Sequence, residues 1–253
     1  AYDVISRFDS VLKKQKHKKQ HWYTKEDVVH RSQVWLPDKV EELPRFANKK
    51  LTPSDVDKIK VGWNIGMSDY RYFPNWFYKL RIAGDNIFPQ AYRKLPISKV
   101  DNKRHLLFSY RSKTKDNKRY SYNRMKLLNE LNQAEDALNE FTYALGGRVS
   151  KNEYLKEQQH SKIGLSPFGW GEICYRDFEI MLNGGLIVKP SMEHLETWPD
   201  YFLEGETYIP TKWNYSDLIP KLIEIEKNWG DYKGVARKAQ QVFLYYQQSA
   251  SEF

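Results

Sequence analysis

Ile163-Gly164-Leu165-Ser166-Pro167-Phe168-Gly169-Trp170-Gly171-Glu172-Ile173-Cys174-Tyr175-Arg176-Asp177-Phe178-Glu179 is the stretch on which the reading of the fold turns. A short apolar run stops at Ser166-Pro167, as a buried strand does where it enters a loop. Phe168 to Gly171 form a glycine turn. Residues 173–183 then predict a helix, closed by the stop signal Gly184-Gly185. Leu186-Ile187-Val188-Lys189-Pro190 follows as another buried strand. Strand, turn, helix and strand in this order form a parallel βαβ unit.

The pattern extends in both directions. Upstream, His105-Leu106-Leu107-Phe108-Ser109 reads as a buried parallel strand ending at Tyr110-Arg111-Ser112. A helix is expected from about Ser121, with Met125, Leu128 and Leu131 at helical spacing. Ser150-Lys151-Asn152-Glu153 is a capping box that predicts a helix over 151–160. Downstream, Tyr208-Ile209-Pro210 reads as a short strand. Helices follow from Ser216-Asp217-Leu218 to about Asn228 and over 231–248. Residues 105–235 are therefore expected to form a Rossmann-like α/β domain, nucleotide-binding in character. Residues 236–253 are expected to be a helix packing back on the first half. Residues 1–104 differ in texture and are expected to be a separate N-terminal domain. Prolines at 37, 44, 53, 74, 89 and 96 interrupt long helices there, and Lys13-Lys14-Gln15-Lys16-His17-Lys18-Lys19 is a dense basic run. Thr52-Pro53-Ser54-Asp55 opens a helix, and Lys60 to Met67 reads as a strand running into a loop.

Composition bounds the function. The 253 residues carry a formal charge of +9, which points to an anionic partner. With 15% aromatic residues the chain has enough apolar area to fold. No run approaches the ~20 apolar residues of a membrane span, and Ala1-Tyr2-Asp3-Val4 has no apolar signal-peptide core. The single cysteine, Cys174, excludes an internal disulfide and a thiolate zinc site. A soluble, cytoplasmic protein is the expectation. The histidines offer no metal cluster, since His17, His21 and His30 lie in a basic segment and His105 and His160 flank strands.

In an open parallel sheet, ligands bind beyond the carboxyl ends of the strands. Two such ends are marked: Ser109 to Ser112, and Ser166 to Glu172. A glycine turn opening a helix at Gly171 and Glu172 presents N–H groups to an anion. Arg111 and Arg176 suit a diphosphate through forked, charge-assisted hydrogen bonds. Glu179, one turn further on, suits the two vicinal hydroxyls of a ribose. Together they would hold a nucleoside diphosphate without a metal. The same residues also read as a helix-surface ladder of ion pairs, because Glu172 and Arg176 are four apart and Arg176 and Glu179 three apart. The glycines match neither a dinucleotide fingerprint nor a P-loop. Phe168 and Trp170 either line a sugar or pack in the core, and His194, in the loop after Pro190, is placed to face the cleft.

The segment from His160 to Glu179 resembles the nucleotide-sugar half of a GT-B glycosyltransferase, in particular the exostosin-like group. The likeness rests on Pro167-Phe168-Gly169, then Cys174-Tyr175-Arg176 with Glu179, then Asn183-Gly184-Gly185-Leu186-Ile187-Val188-Lys189-Pro190. Ser109-Tyr110-Arg111 resembles the strand end where that family places a phosphate-binding arginine. The lysine- and tyrosine-rich composition is similar to that of glycosyltransferases of large DNA viruses of algae, which would place the protein in a host cytoplasm. Position 171 is glycine, so the commoner pair of glutamates eight apart is not present.

The resemblance implies a GT-B-like α/β fold, with two Rossmann-type halves around a cleft and the N-terminal half reduced. It implies a nucleotide-sugar donor, with UDP as carrier and xylose, galactose or glucuronic acid as the sugar, and a glycan or glycoprotein acceptor. It places the base near Tyr143, Arg148 and Val149, while the loop position of His194 suits a contact with the donor. An inverting reaction needs a general base across the cleft. The candidates are Asp69, Asp9, His30 and Asp85, with Asp69 first because it follows the apolar Val61–Met67 segment. Two alternatives keep the basic run in view: a nucleic-acid-binding protein without enzymatic activity, and a protein resting on an anionic membrane surface.

Overall fold

Five short strands lie side by side, all parallel, in the order β5-β4-β6-β7-β9. They are β4 (Leu106–Arg111), β5 (Ala144–Gly146), β6 (Ser161–Leu165), β7 (Leu186–Pro190) and β9 (Ile209–Thr211). The computed structural model describes residues 2–24, 51–62, 97–112, 122–169 and 171–249. Helices cover both faces of the sheet, which makes the protein α/β, as expected. Phe108, Tyr110, Ile163, Leu165, Leu186 and Val188 pack with α3 (Tyr122–Gln133), α4 (Glu135–Leu138) and α7 (Leu218–Lys227) on one face. On the other, Ile187 packs with α6 (Tyr175–Leu182) and α8 (Trp229–Ser249). Between them α5 (Lys151–His160) links β5 to β6, with Ser150 accepting from the N–H of Glu153 as the capping box requires.

Local chemistry explains several boundaries. The buried stripe of α3 is Asn123, Leu127 and Leu131, four residues apart. Met125, counted in the sequence as part of the apolar face, is 43% exposed, so the helix is rotated from that reading. Helix α6 ends at Gly184, whose φ of 66° closes it in the left-handed conformation. The N–H groups of Gly184 and Gly185 return to the carbonyls of Met181 and Ile180. Gly164 is required for a different reason: a Cβ there would sit 2.3 Å from Ile180 Cγ1, so α6 lies on β6 only because that strand position has no side chain.

Residues from the first hundred are built into this unit. Strand β1 (Val11–Lys13) pairs in parallel with β3 (Ile59–Val61), which follows α2 (Pro53–Asp57) and its Thr52 cap. Ahead of α2, the described residues include the short α1 (His21–Thr24). Strand β2 (Gln15–His17) pairs antiparallel with β8 (Leu195–Thr197), in the loop after β7. The basic run therefore contains a strand rather than a wholly solvated face. Arg104 is buried and donates to the carbonyls of Lys99, Val100, Gln159, Ser161 and Asn183, which ties the approach to β4 onto α5, β6 and the end of α6. Burial lowers its pKa to about 10. The last helix packs on α6 and β7, and Gln240 donates to the carbonyls of Ser98, Met181 and Leu182. The expected second Rossmann-type half and its facing cleft would rest on residues 25–50 and 63–96, which lie outside the described residues. Among the described residues, no helix is long and apolar enough to cross a membrane.

Gly164→Ala should destabilise the protein by about 1–3 kcal/mol in urea unfolding, because the packed Ile180 cannot withdraw without strain. Shortening the partner as well, in Gly164→Ala/Ile180→Ala, should recover part of the loss.

Candidate functional site

The strand order sets the position of the site. From β4 the chain moves outward to β5, and then returns across it to place β6 on the opposite side. The chain connects β4 to β5 on one side and β6 to β7 on the other, so the carboxyl ends of β4 and β6 form a topological switch point, where open α/β sheets receive ligands. Two clusters of polar side chains lie there.

The first cluster joins β4, α5 and α6. Arg111, the last residue of β4, donates from Nε and Nη2 to the two oxygens of Glu157 at 2.9 and 2.5 Å, and from Nη1 to the Leu145 carbonyl at 3.0 Å. Ser109 also donates to Glu157, at 2.9 Å. The hydrogen bonds from Arg111, joined by that of Ser109, hold the Glu157 carboxyl below its ordinary range, against the opposing effect of burial. Arg176 donates to the Arg111 carbonyl at 2.7 Å and stacks over the Tyr110 ring, 5.1 Å from its centroid. Glu179 is buried and accepts a hydrogen bond from the Tyr154 hydroxyl at 2.9 Å. Burial first, and then the charge of Glu179, push the Tyr154 phenol well above its ordinary pKa, so it remains a donor. Arg111, Arg176 and Glu179 are thus brought together, with Tyr154 and Glu157 as partners that the sequence reading missed. Both partners project from α5 three residues apart, the spacing that puts two side chains on one helix face.

The second cluster surrounds the turn after β6. Helix α6 starts at Tyr175, later than expected, and Glu172 and Ile173 belong to the buried turn. Glu172 and Arg176 are therefore not successive rungs of a helix ladder. At the helix start the N–H of the cap residue Cys174 is already accepted by Asp177 at 2.9 Å, so that donor is committed within the chain. Lys189 of β7 donates to both carboxylate oxygens of Asp177 at 3.0 Å and to the Glu172 carbonyl at 2.9 Å. Both side chains of this ion pair have zero exposed surface. A lysine inside an apolar strand run was the available signal, because a buried ammonium requires a buried partner.

The Glu172 carboxylate accepts from the Gln15 amide, delivered by β2, and lies 3.9 Å from His194 Nε2. The His194 ring packs between those of Trp213 and His17, at 5.0 and 5.8 Å. Gln15 Oε1 and both ring nitrogens of His194 are buried without a hydrogen-bond partner among the described residues. Buried polar atoms ordinarily find partners, so this group marks a place suited to a polar ligand.

The remaining expected residues are placed as follows. Phe168 is fully buried, its N–H bonded to Asn123, so it belongs to the core reading. Gly171 is buried in the turn, its carbonyl accepting from Gly169 N–H. Arg148 is exposed and Val149 half-buried, just before α5. Beside them a cavity of about 480 Å³ opens, lined in part by Ser112, Leu128, Leu131, Tyr143, Gly146 and Gly147. Asp69, Trp170, His30 and Asp85 lie outside the described residues, as does the basic stretch 113–119. Among the described residues, no group of three His, Cys, Asp or Glu side chains is placed to hold a metal ion.

No family model matches the chain, and no curated protein matches it. Solved structures show a distant likeness. The crystal structure of TarM is 13% identical, covers 64% of this chain and 36% of its own, and superposes with a TM-score of 0.44. Anabaena Alr3699/HepE in complex with UDP is 14% identical, covers 78% and 57%, and gives 0.41. The GtfA/B complex is 11% identical, covers 70% and 43%, and gives 0.42. The chain thus spans between 36% and 57% of the lengths of these proteins. Likeness at this level transfers no activity.

Removing the cation from the buried pair, in Lys189→Met, should cost about 3–5 kcal/mol in urea unfolding, because Asp177 is left charged and unpaired. Lys189→Met/Asp177→Leu should recover most of that loss. Glu157 predicts a pH dependence. Its folded pKa is depressed, so its stabilisation is present above the unfolded carboxylate value and is lost as pH falls through the folded one. The stability gap between wild type and Glu157→Gln should be open at neutral pH and should narrow as pH falls below the ordinary carboxylate range in unfolding titrations.

Proposed function

We propose that the chain is a GT-B glycosyltransferase that moves a sugar from a nucleoside diphosphate, with UDP as carrier, to a glycan or glycoprotein acceptor. The observation that carries this reading is the convergence of Arg111, Arg176 and Glu179 at the switch point of a parallel sheet. In sequence order these residues also carry the resemblance to the nucleotide-sugar half of the family.

The roles follow from the chemistry of each group. Arg176 and the uncommitted donors of Arg111 meet the diphosphate, whose negative charge grows as the bond to the anomeric carbon breaks. Glu179 accepts from the ribose diol. The base lies against residues 147–149, beside the cavity at Tyr143 and Gly146. The sugar is placed by Glu172 and His194, where Gln15 Oε1 adds an acceptor and the turn after β6 closes one side. The acceptor hydroxyl attacks the anomeric carbon from the face opposite the diphosphate. Its proton passes to Asp69 as general base, the bond to the diphosphate breaks, and the configuration inverts. The two arginines serve as electrophile, so no metal is required. Xylose or another UDP-linked sugar is the donor group.

Calorimetry tests the reading. UDP should bind in the micromolar range, and Glu179→Ala should weaken it about tenfold or more, the scale of a hydrogen bond to a charged group. Asp69→Asn should abolish transfer from a UDP-sugar while leaving UDP affinity near normal. Absence of nucleotide binding together with tight, salt-sensitive binding of a short oligonucleotide would instead establish the nucleic-acid reading of the basic run.

A further inference from the structure

Tyr154 is not among the residues that the resemblance assigns, yet its hydroxyl donates to the Glu179 carboxylate, at 2.9 Å. The two residues come from different helices. Tyr154 stands in the first turn of α5, directly after residues 147–149, whereas Glu179 stands in the second turn of α6. Their contact is therefore the bridge between the two crossover helices at the mouth of the switch point. A glutamate carries a flexible side chain, and a diol recognises a carboxylate only when both oxygens are presented in one plane and direction. Holding one oxygen from behind removes that freedom before the ligand arrives, so less ordering is left for binding to complete. A carboxylate has about four lone-pair directions. The phenol occupies one of them and fixes the direction of that oxygen.

The surroundings fit this task. Arg176, one helical turn before Glu179, is itself fixed by the Arg111 carbonyl and the Tyr110 ring. Glu157 lies one turn beyond Tyr154 on α5 and grips Arg111 and Ser109. Helix α5 thus meets the site through consecutive turns: one holds the end of β4 and the other holds Glu179. The phenol does not ionise near neutral pH, because burial and the neighbouring Glu179 charge raise its pKa, so its direction as donor is constant.

We infer that Tyr154 is a positioning residue that presets Glu179 for a ribose and thereby sets the preference of the site for ribonucleotides over 2′-deoxyribonucleotides. This rests on the reading of Glu179 as the ribose acceptor, and the experiment separates the two. Affinities for UDP and 2′-deoxy-UDP are measured by calorimetry on wild type, Glu179→Gln and Tyr154→Phe. Wild type should prefer UDP by about tenfold. Glu179→Gln should erase most of that preference. Tyr154→Phe should reduce it to about two- to threefold, through weaker UDP binding, with 2′-deoxy-UDP affinity unchanged. The unchanged deoxynucleotide affinity reports that the variant is folded and its diphosphate contacts are intact. A preference that survives in Tyr154→Phe while Glu179→Gln loses it overturns the positioning role alone. Equal binding of the two nucleotides by wild type overturns both the role and the reading beneath it. A parallel fall in both affinities in Tyr154→Phe shows a general structural part for the tyrosine and also overturns the inference.

Discussion

A lysine ammonium inside a strand with no exposed surface has to be matched on every side, and Lys189 is matched by the element that precedes its own strand. Its donors go to both oxygens of Asp177 in the first turn of α6 and to the Glu172 carbonyl in the turn before it, while the Phe202 ring lies 4.1 Å away. Attraction in such a setting does little more than offset the cost of taking both charges out of water. Its effect is on arrangement. Any displacement of the turn or the helix would strand a charge, so β7, the turn and the start of α6 can combine in one way. Glu172, Arg176 and Glu179 are distributed along that same turn and helix, and their mutual placement is inherited from the pair.

Around this point the fold relies on side chains that close backbone gaps. Arg104 takes carbonyls from the approach to β4, from the junction of α5 with β6 and from the end of α6. Gln240 of α8 takes carbonyls from Ser98 and the last turn of α6. Buried carbonyls without partners are costly, and at the ends of short helices and strands they are numerous. One guanidinium and one amide satisfy several at once. In the same way the Asn123 side-chain oxygen accepts from the Phe168 N–H and the Tyr215 hydroxyl, which joins α3 to the turn after β6.

The legible parts of the sequence were those whose signal is local. β4, β6 and β7 are continuous apolar runs bounded by polar or turn residues, and α5 announces itself through Ser150 and Glu153. The glycines at 184 and 185 mark the end of α6 because only a residue free of a Cβ takes φ of 66° without strain. β5 was missed: it is three residues long at the sheet edge, without an apolar run. β2 was hidden because Lys16 within it and the lysines on either side of it resemble a solvated charge run. The start of α6 was misplaced because Glu172 and Ile173 are buried, and apolar burial in a tight turn looks like a helix face. The partners Tyr154, Glu157 and Gln15 were invisible for a common reason: each meets a residue of another element, and no periodicity encodes a meeting between elements. For Arg111, Arg176 and Glu179, the chemistry of each residue suggested one neighbourhood.

The pairing of β2 with β8 bears on the order in which the molecule assembles. Gln15 and Glu172 are 157 positions apart, and Ser98 and Gln240 are 142 apart. Contacts of such range close large loops and belong to slow-folding topologies. During synthesis at roughly 5–20 residues per second, the strand carrying Gln15 emerges about eight to thirty seconds before the turn it will grip. Until then its lysines keep it solvated and discourage premature pairing, as charge does on unpaired strand edges. The basic run thereby acquires a role in time as well as in space: it keeps an early-made strap soluble until the sheet that needs it exists.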